Sequence, residues 1–255
     1  MAEIARFATT GLLGANKTGE LKPDADGYYT VVLGALDVYN SGGAFYPANT
    51  ARELFKDSSS LMRRIQNKAC RGEVGHPRKE PGMSLRDYIV RVCTIQEDKI
   101  AFHVKEVWLD EQNVKDKSGR PVIAIMGKVC PSGPHGEAFL RAIKNPHENL
   151  CFSIRSITND VEVNGVVHKH FKVIVTWDWV NEPGLEVANR YSVPTMECRI
   201  GDEVVFTQDL LVSMAQDEGI GQESLAVTLE SILADMGWAR NKSVPVTKMP
   251  PSANW

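Results

Sequence analysis

The dipeptide Asn164-Gly165 constrains this chain more than any other feature. Asn-Gly supplies the two left-handed backbone positions that a tight two-residue hairpin needs, and here it separates the strand-like residues 161–163 from the strand-like residues 166–180. The middle of the chain is therefore committed to antiparallel pairing. Residues 150–157, apolar and upstream of the turn, read as a further strand.

Other strand-like runs are 28–38, with the β-branched, apolar composition of a buried strand, and 85–95, 100–109 and 121–129. Pro47 is placed to open a helix running to about residue 68, with Leu54, Leu61, Met62 and Ile65 as its apolar face. Residues 136–145 read as a short helix, and 204–206 as a short strand. Residues 222–238 have the spacing of an amphipathic helix, with Leu225, Leu229, Ile232, Leu233 and Met236 near one face. Residues 12–27 and 182–190 are loop-like. The pattern is α+β and mostly β, and no internal repeat or linker divides it, so the expectation is one domain over residues 1–240 with a flexible or docked tail at 241–255.

A length of 255 residues is ample to bury a core, and a formal net charge of −3 gives no reason to expect nucleic acid or an anionic membrane as partner. No apolar run is long enough to span a bilayer and residues 1–10 lack a signal-peptide core, which predicts a soluble intracellular protein. Cys70, Cys93, Cys130, Cys151 and Cys198 are scattered, with no Cys-x-x-Cys pair, so neither a disulfide framework nor a zinc site is expected.

Three residues carry candidate chemistry. His76 stands in Gly-Glu-Val-Gly-His-Pro-Arg, between a permissive Gly75 and a rigid Pro77, at the end of a short predicted strand. Ser153 stands in Cys-Phe-Ser-Ile-Arg-Ser, where strand alternation puts Cys151, Ser153 and Arg155 on one face. Asp178 ends the strand before residues 179–183, where a carboxylate can orient a base. A serine becomes a good nucleophile when a base takes its proton and a third group holds that base. A cation beside it, such as Arg155, can help stabilise an oxyanion. The bland readings are a turn histidine, a structural strand serine and a turn-forming aspartate. Cys151 is a second nucleophile candidate without the partner pattern of Ser153.

The order Asn40–Pro47 turn, Gly-Glu-x-x-His-Pro, Ser-x-Arg-Ser and Asp178-x-Val-x-x-Pro183 resembles the tailed-bacteriophage prohead proteases, the T4-type capsid maturation family, over about residues 28–195. The resemblance implies a serine endopeptidase with a herpesvirus-protease-like fold, a closed or barrel-like β core surrounded by helices. It implies His76 as general base, Ser153 as nucleophile, Asp178 as third member, and Arg155 in the oxyanion region or in positioning, with no cofactor and no metal. Its substrates would be the scaffold or core proteins, the major capsid protein and itself, cut after glutamate inside the prohead within the host cytoplasm. Regulation by assembly brings a homo-oligomer among the expectations. The tail after Trp238, with Glu223 and Glu230 upstream, is the exposed candidate for self-cleavage. Three positions depart from the family pattern: Ser156 replaces a usual glycine, Ile154 a usual small residue, and Gly75 the aspartate of Asp-His-Pro, which leaves Glu73 as the acid closest to His76 in sequence.

Two other readings stay open at this point. Glu73 and His76 could join His168 and His170, whose i,i+2 spacing puts both rings on one strand face, in a metal-dependent hydrolase. Alternatively the chain is a noncatalytic β-domain that binds capsid or scaffold.

Overall fold

The computed structural model describes residues 4–10, 21–40, 42–116, 119–181, 204–217, 219–221 and 225–238. In chain order it runs β1 (Ile4–Thr10), β2 (Tyr29–Leu36), β3 (Val38–Tyr39), β4 (Phe45–Tyr46), α1 (Ala48–Ala51), α2 (Ser60–Gln66), β5 (Arg71–Glu73), α3 (Leu85–Cys93) and β6 (Ile100–Asp110). It continues through β7 (Ile123–Pro131), α4 (Gly136–Lys144), β8 (Cys151–Val163), β9 (Val166–Val180), β10 (Val204–Thr207), α5 (Gln208–Ala215) and α6 (Leu229–Asp235).

The Asn164-Gly165 hairpin forms, with both turn residues at positive φ (52° and 78°), and joins the two longest strands, β8 and β9. They lie at the centre of a six-stranded sheet ordered β10-β1-β8-β9-β4-β3, beside a four-stranded sheet ordered β2-β7-β6-β5. The structure is mixed α+β with more strand than helix, as expected, but the strands form two sheets and not a closed barrel. Backbone pairing joins the two sheets at a seam between β5 and β9. Val74, just beyond β5, bridges in parallel to Trp179 of β9, and the Gly75 N–H donates to the Trp179 carbonyl at 2.7 Å. Gly72 permits this approach, because a Cβ there would collide with the Phe102 ring and the Trp177 carbonyl.

Apolar side chains cover both faces of β8 and β9. On one side Phe152, Ile154, Phe171, Ile174 and Trp177 pack with the four-stranded sheet and with α1, α2 and α4. On the other, Ile157, Val173 and Val175 meet α3, α5 and α6. Burial on both faces holds for Cys151–Thr158 of β8 although Ser153, Arg155, Ser156 and Thr158 are polar, so these four side chains are buried polar groups. A bulge in β9 sets the phase. Ser156 pairs with Ile174 and Arg155 with Thr176, so Val175 is the extra residue. Trp177 thereby enters the first core, and Asp178 faces the opposite way. Arg64 of α2 donates to the carbonyls of Ile174 (2.8 Å) and Val175, satisfying acceptors at the bulge.

Several expectations need correction. The strand expected at residues 85–95 is instead the helix α3 over Leu85–Cys93, followed by an extended Thr94. Ser84 caps it, its Oγ accepting from the Asp87 N–H at 3.1 Å and donating to Asp87 Oδ2 at 2.7 Å, and Tyr88, Ile89, Val92 and Cys93 share a buried face at helical spacing. The helix expected from Pro47 to residue 68 is broken in two, with a 3-10 turn at Arg52–Phe55 and a fresh cap at Ser59, although Leu54, Leu61 and Ile65 are buried as predicted. The long C-terminal helix is confined to α6, whose cap is Thr228, while Leu225 instead bridges to Thr94. The strand β1 and the helix α5 were not anticipated. The expected tail at 241–255, Glu182, Pro183, Cys198 and Glu223 lie outside the described residues.

Candidate active site

Register brings the first two candidates together. Ser153 of β8 is directly opposite Asp178 of β9, which places their Cβ atoms about 5 Å apart on one face of the ribbon. Both residues are buried, Ser153 at 2% and Asp178 at 0% exposure. The seam delivers the third. After Val74 pairs with Trp179, Gly75 adopts a left-handed conformation (φ 72°) and turns the chain so that His76 Nδ1 reaches Asp178 Oδ2 at 2.8 Å. An ionised carboxylate can only accept, so Nδ1 carries the proton in this bond and Nε2 is the ring's acceptor. Pro77, next in the chain, is buried, and its carbonyl accepts from the Tyr88 hydroxyl at 3.4 Å. The His76 side chain itself is 15% exposed, so the ring bridges the buried acid and the surface.

Arg155 lies beneath this pair. Its Nε donates to Asp178 Oδ2 at 3.0 Å and its Nη2 to Asp178 Oδ1 at 2.6 Å, while Nη2 also meets Glu73 Oε2 at 3.0 Å. Its Nη1 donates to the carbonyls of Thr94 (3.0 Å) and Val92 (3.4 Å) at the C-terminal end of α3, where the helix dipole favours a cation. Each of the five N–H donors of the guanidinium thus has a protein acceptor. That arrangement leaves none to aim at an oxyanion and makes Arg155 a holder of Asp178.

Glu73, the second fully buried acid, is gripped by Arg91 through Nη1 at 3.1 Å and Nη2 at 2.6 Å, and by the Gln96 N–H at 2.7 Å. Asp178 and Glu73 face Arg155 and Arg91, so two negative and two positive charges are buried in alternation, which is what makes their desolvation tolerable. Burial pushes the Asp178 carboxyl up, but the Arg155 charge and the His76 hydrogen bond outweigh it and hold Asp178 below the usual carboxylate range.

The groups of the metal reading are not brought together. His168 and His170 sit opposite Val161 and Asn159 near the hairpin tip, ten and eight residues from Asp178, or about 25–35 Å along the strand. Among the described residues no three His, Cys, Asp or Glu side chains converge as metal ligands. Cys151 is buried, and its thiol faces the Asn181 carbonyl at 3.6 Å. The contribution of Glu73 and Arg91 was missed by sequence reasoning. Their spacing of 18 residues across a loop and a helix start carries no periodic signal.

The model of the peptidase S80 family matches residues 7–236, a span that contains every residue of this constellation. The chain belongs to the peptidase S80 family. Another similar protein is the capsid maturation protease of Pseudomonas phage phiKZ, 36% identical over 236 residues, which covers 89% of this chain and 86% of the phage protein. Among solved structures, the bacteriophage T4 capsid assembly protease matches with a TM-score of 0.50 and 14% identity, covering 69% of this chain and 98% of the T4 chain. That likeness extends the shared fold across most of this S80 chain.

Proposed function

We propose that this S80 peptidase is a serine endopeptidase of bacteriophage capsid maturation, with Ser153 as nucleophile, His76 as general base and Asp178 as the residue that orients and charges the base. The observation that carries this reading is the 2.8 Å bond from His76 Nδ1 to a fully buried Asp178 carboxylate that stands directly across the ladder from Ser153. As Ser153 Oγ attacks the scissile carbonyl carbon, His76 Nε2 takes its proton, and Asp178 stabilises the imidazolium. The imidazolium then protonates the leaving amine, the C–N bond breaks, and an acyl-serine ester remains. Water, deprotonated by the same nitrogen, hydrolyses the ester and restores the serine. Arg155 fixes the carboxylate from behind.

The phiKZ relative, a capsid maturation protease, points to phage capsid and scaffold proteins as substrates inside the prohead, and self-cleavage is added on the sequence resemblance. Cleavage after glutamate and a relationship to the herpesvirus proteases belong to the same proposal and rest on the sequence resemblance.

Intact mass of the concentrated protein over time, beside its Ser153→Ala variant and a chelator-treated sample, tests the reading. Truncation that is lost in Ser153→Ala and indifferent to chelator supports it, and each new terminus tests the glutamate rule. Truncation that persists in Ser153→Ala sinks the nucleophile assignment, and truncation lost on chelation would favour a metal-dependent hydrolase.

A further inference from the structure

Asp178 has an unusual partner for an acid that must stabilise an imidazolium. A fully buried arginine makes two hydrogen bonds to it, and that positive charge opposes protonation of the neighbouring ring. The structure supplies a counterweight. The same Arg155 Nη2 that donates to Asp178 also meets Glu73, and Glu73 is held in turn by both outer nitrogens of Arg91 and by the Gln96 N–H. With a neutral His76 ring the alternating chain Asp178, Arg155, Glu73, Arg91 sums to zero charge, and with an imidazolium it carries one positive charge.

We propose that Glu73 and Arg91 are positioning residues of the His76–Asp178 pair, acting through Arg155, and that their opposite charges set how readily the His76 ring accepts a proton. The proposal rests on His76 being the general base. It assigns these two residues a part in the reaction beyond packing. The charged and titratable groups tied to His76 and its acid are Asp178 from β9, Arg155 from β8, Glu73 from β5 and Arg91 from α3, with Ser153 of β8 paired opposite Asp178 and the Tyr88 hydroxyl of α3 on the Pro77 carbonyl. Of these charged groups, only Glu73 and Arg91 can change charge without touching Asp178 directly.

The test is a pH titration of the His76 ring by NMR in the Ser153→Ala protein, which removes self-cleavage. Glu73→Gln removes the negative charge on the far side of Arg155 and lowers the protonation midpoint by about one pH unit, the size expected for charges on the order of 10 Å apart at an effective dielectric near 20. Arg91→Gln leaves Glu73 in excess and raises the midpoint, by less because the Arg91 side chain is 11% exposed. Arg91→Lys keeps the charge and brings the midpoint back toward the parent.

Shifts of opposite sign support the proposal, since loosened packing has no reason to reverse direction between the two variants. Shifts of the same sign, or midpoints that stay at the parent value, overturn it. If Glu73→Gln does not fold, the Arg91→Gln and Arg91→Lys pair decides alone: a raised midpoint restored by lysine supports the proposal, and any other result overturns it. Failure of the serine reading is separately visible, as continued truncation of the Ser153→Ala protein.

Discussion

Both ends of the β8–β9 hairpin bury an acid against a base, and the two ends are wired differently. Near the tip, Asp160 accepts from Lys169 Nζ at 3.0 Å and from Thr158 Oγ1 at 2.8 Å, all on the two strands themselves. Two histidines lie close by, His168 and His170, with ring centres 6.3 Å apart. At the base, Asp178 is held by a ring from the β5 seam and a guanidinium from β8, and that guanidinium is held in turn by Glu73 and by the end of α3. A pair within one hairpin can form as soon as the hairpin does. The base network exists only when four distant parts of the chain have converged. Residue type alone therefore does not distinguish a site here; convergence on one carboxylate does.

The largest effect expected is on proteolysis. His76→Ala should slow cleavage by about a thousand-fold, the loss expected on removing the proposed general base, which also returns the proton to the leaving amine. His170→Ala, near the tip of the β8–β9 hairpin, should leave the rate within about two-fold. The truncation time course by mass spectrometry checks both. Comparable losses from the two substitutions would erase the distinction between the ends.

Next in size is stability. Asp178→Asn leaves Arg155 buried with a neutral partner, which should cost about 3–5 kcal/mol. Asp160→Asn should cost less, about 1–2 kcal/mol, because the long Lys169 side chain can carry its charge toward water. Urea unfolding of both variants in the Ser153→Ala background measures the difference, and equal costs would mean that the base network is held no more tightly than a hairpin pair.

This contrast also shows how much the sequence could reveal. The hairpin was legible because its turn chemistry is local, and residues 166–180 are the strand expected. The order of His76, Ser153 and Asp178 was legible as a resemblance. Helix α3 was not, because the run Tyr-Ile-Val-Arg-Val-Cys carries β-branched residues favoured in strands, while the deciding signal was the cap formed by Ser84 and Asp87. The role of Arg155 was legible only as a cation on the right face. Its five acceptors come from β5, β9 and the end of α3, and nothing in the spacing of those residues announces the meeting. The β9 bulge is similarly silent, although without it Asp178 would face the other core.

The pH dependence of stability sharpens the comparison further. The folded-state Asp178 carboxyl lies below its unfolded value of about 3.9, so between the two the unfolded chain binds more protons, and stability rises with pH across that window. The contribution is complete above the unfolded value and is lost as the pH falls through the folded one. Acid unfolding followed by circular dichroism should accordingly be steep below about pH 4 and should flatten in Asp178→Asn, which has no proton to exchange. An unchanged acid limb in the variant would show that Asp178 is not the group that links folding to protons.

The smallest effect separates the two ends most cleanly. Gly75 and Gly165 share a left-handed backbone, with φ of 72° and 78°, and at neither would a Cβ meet another atom within 4 Å. Alanine at either position should therefore cost a similar amount, about 1 kcal/mol of backbone strain. The consequences for chemistry should differ. Relief of strain at Gly165 moves a turn at the far end of the ribbon, whereas at Gly75 it rotates the peptide that presents His76 and loosens the 2.7 Å bond to the Trp179 carbonyl. A displacement of a fraction of an ångström at a base is enough to slow proton transfer by about ten-fold or more. Matched unfolding curves with a rate loss confined to Gly75→Ala would place the function of the left-handed turn in aiming the imidazole. Equal rates would show that the ring finds Asp178 without the turn's help.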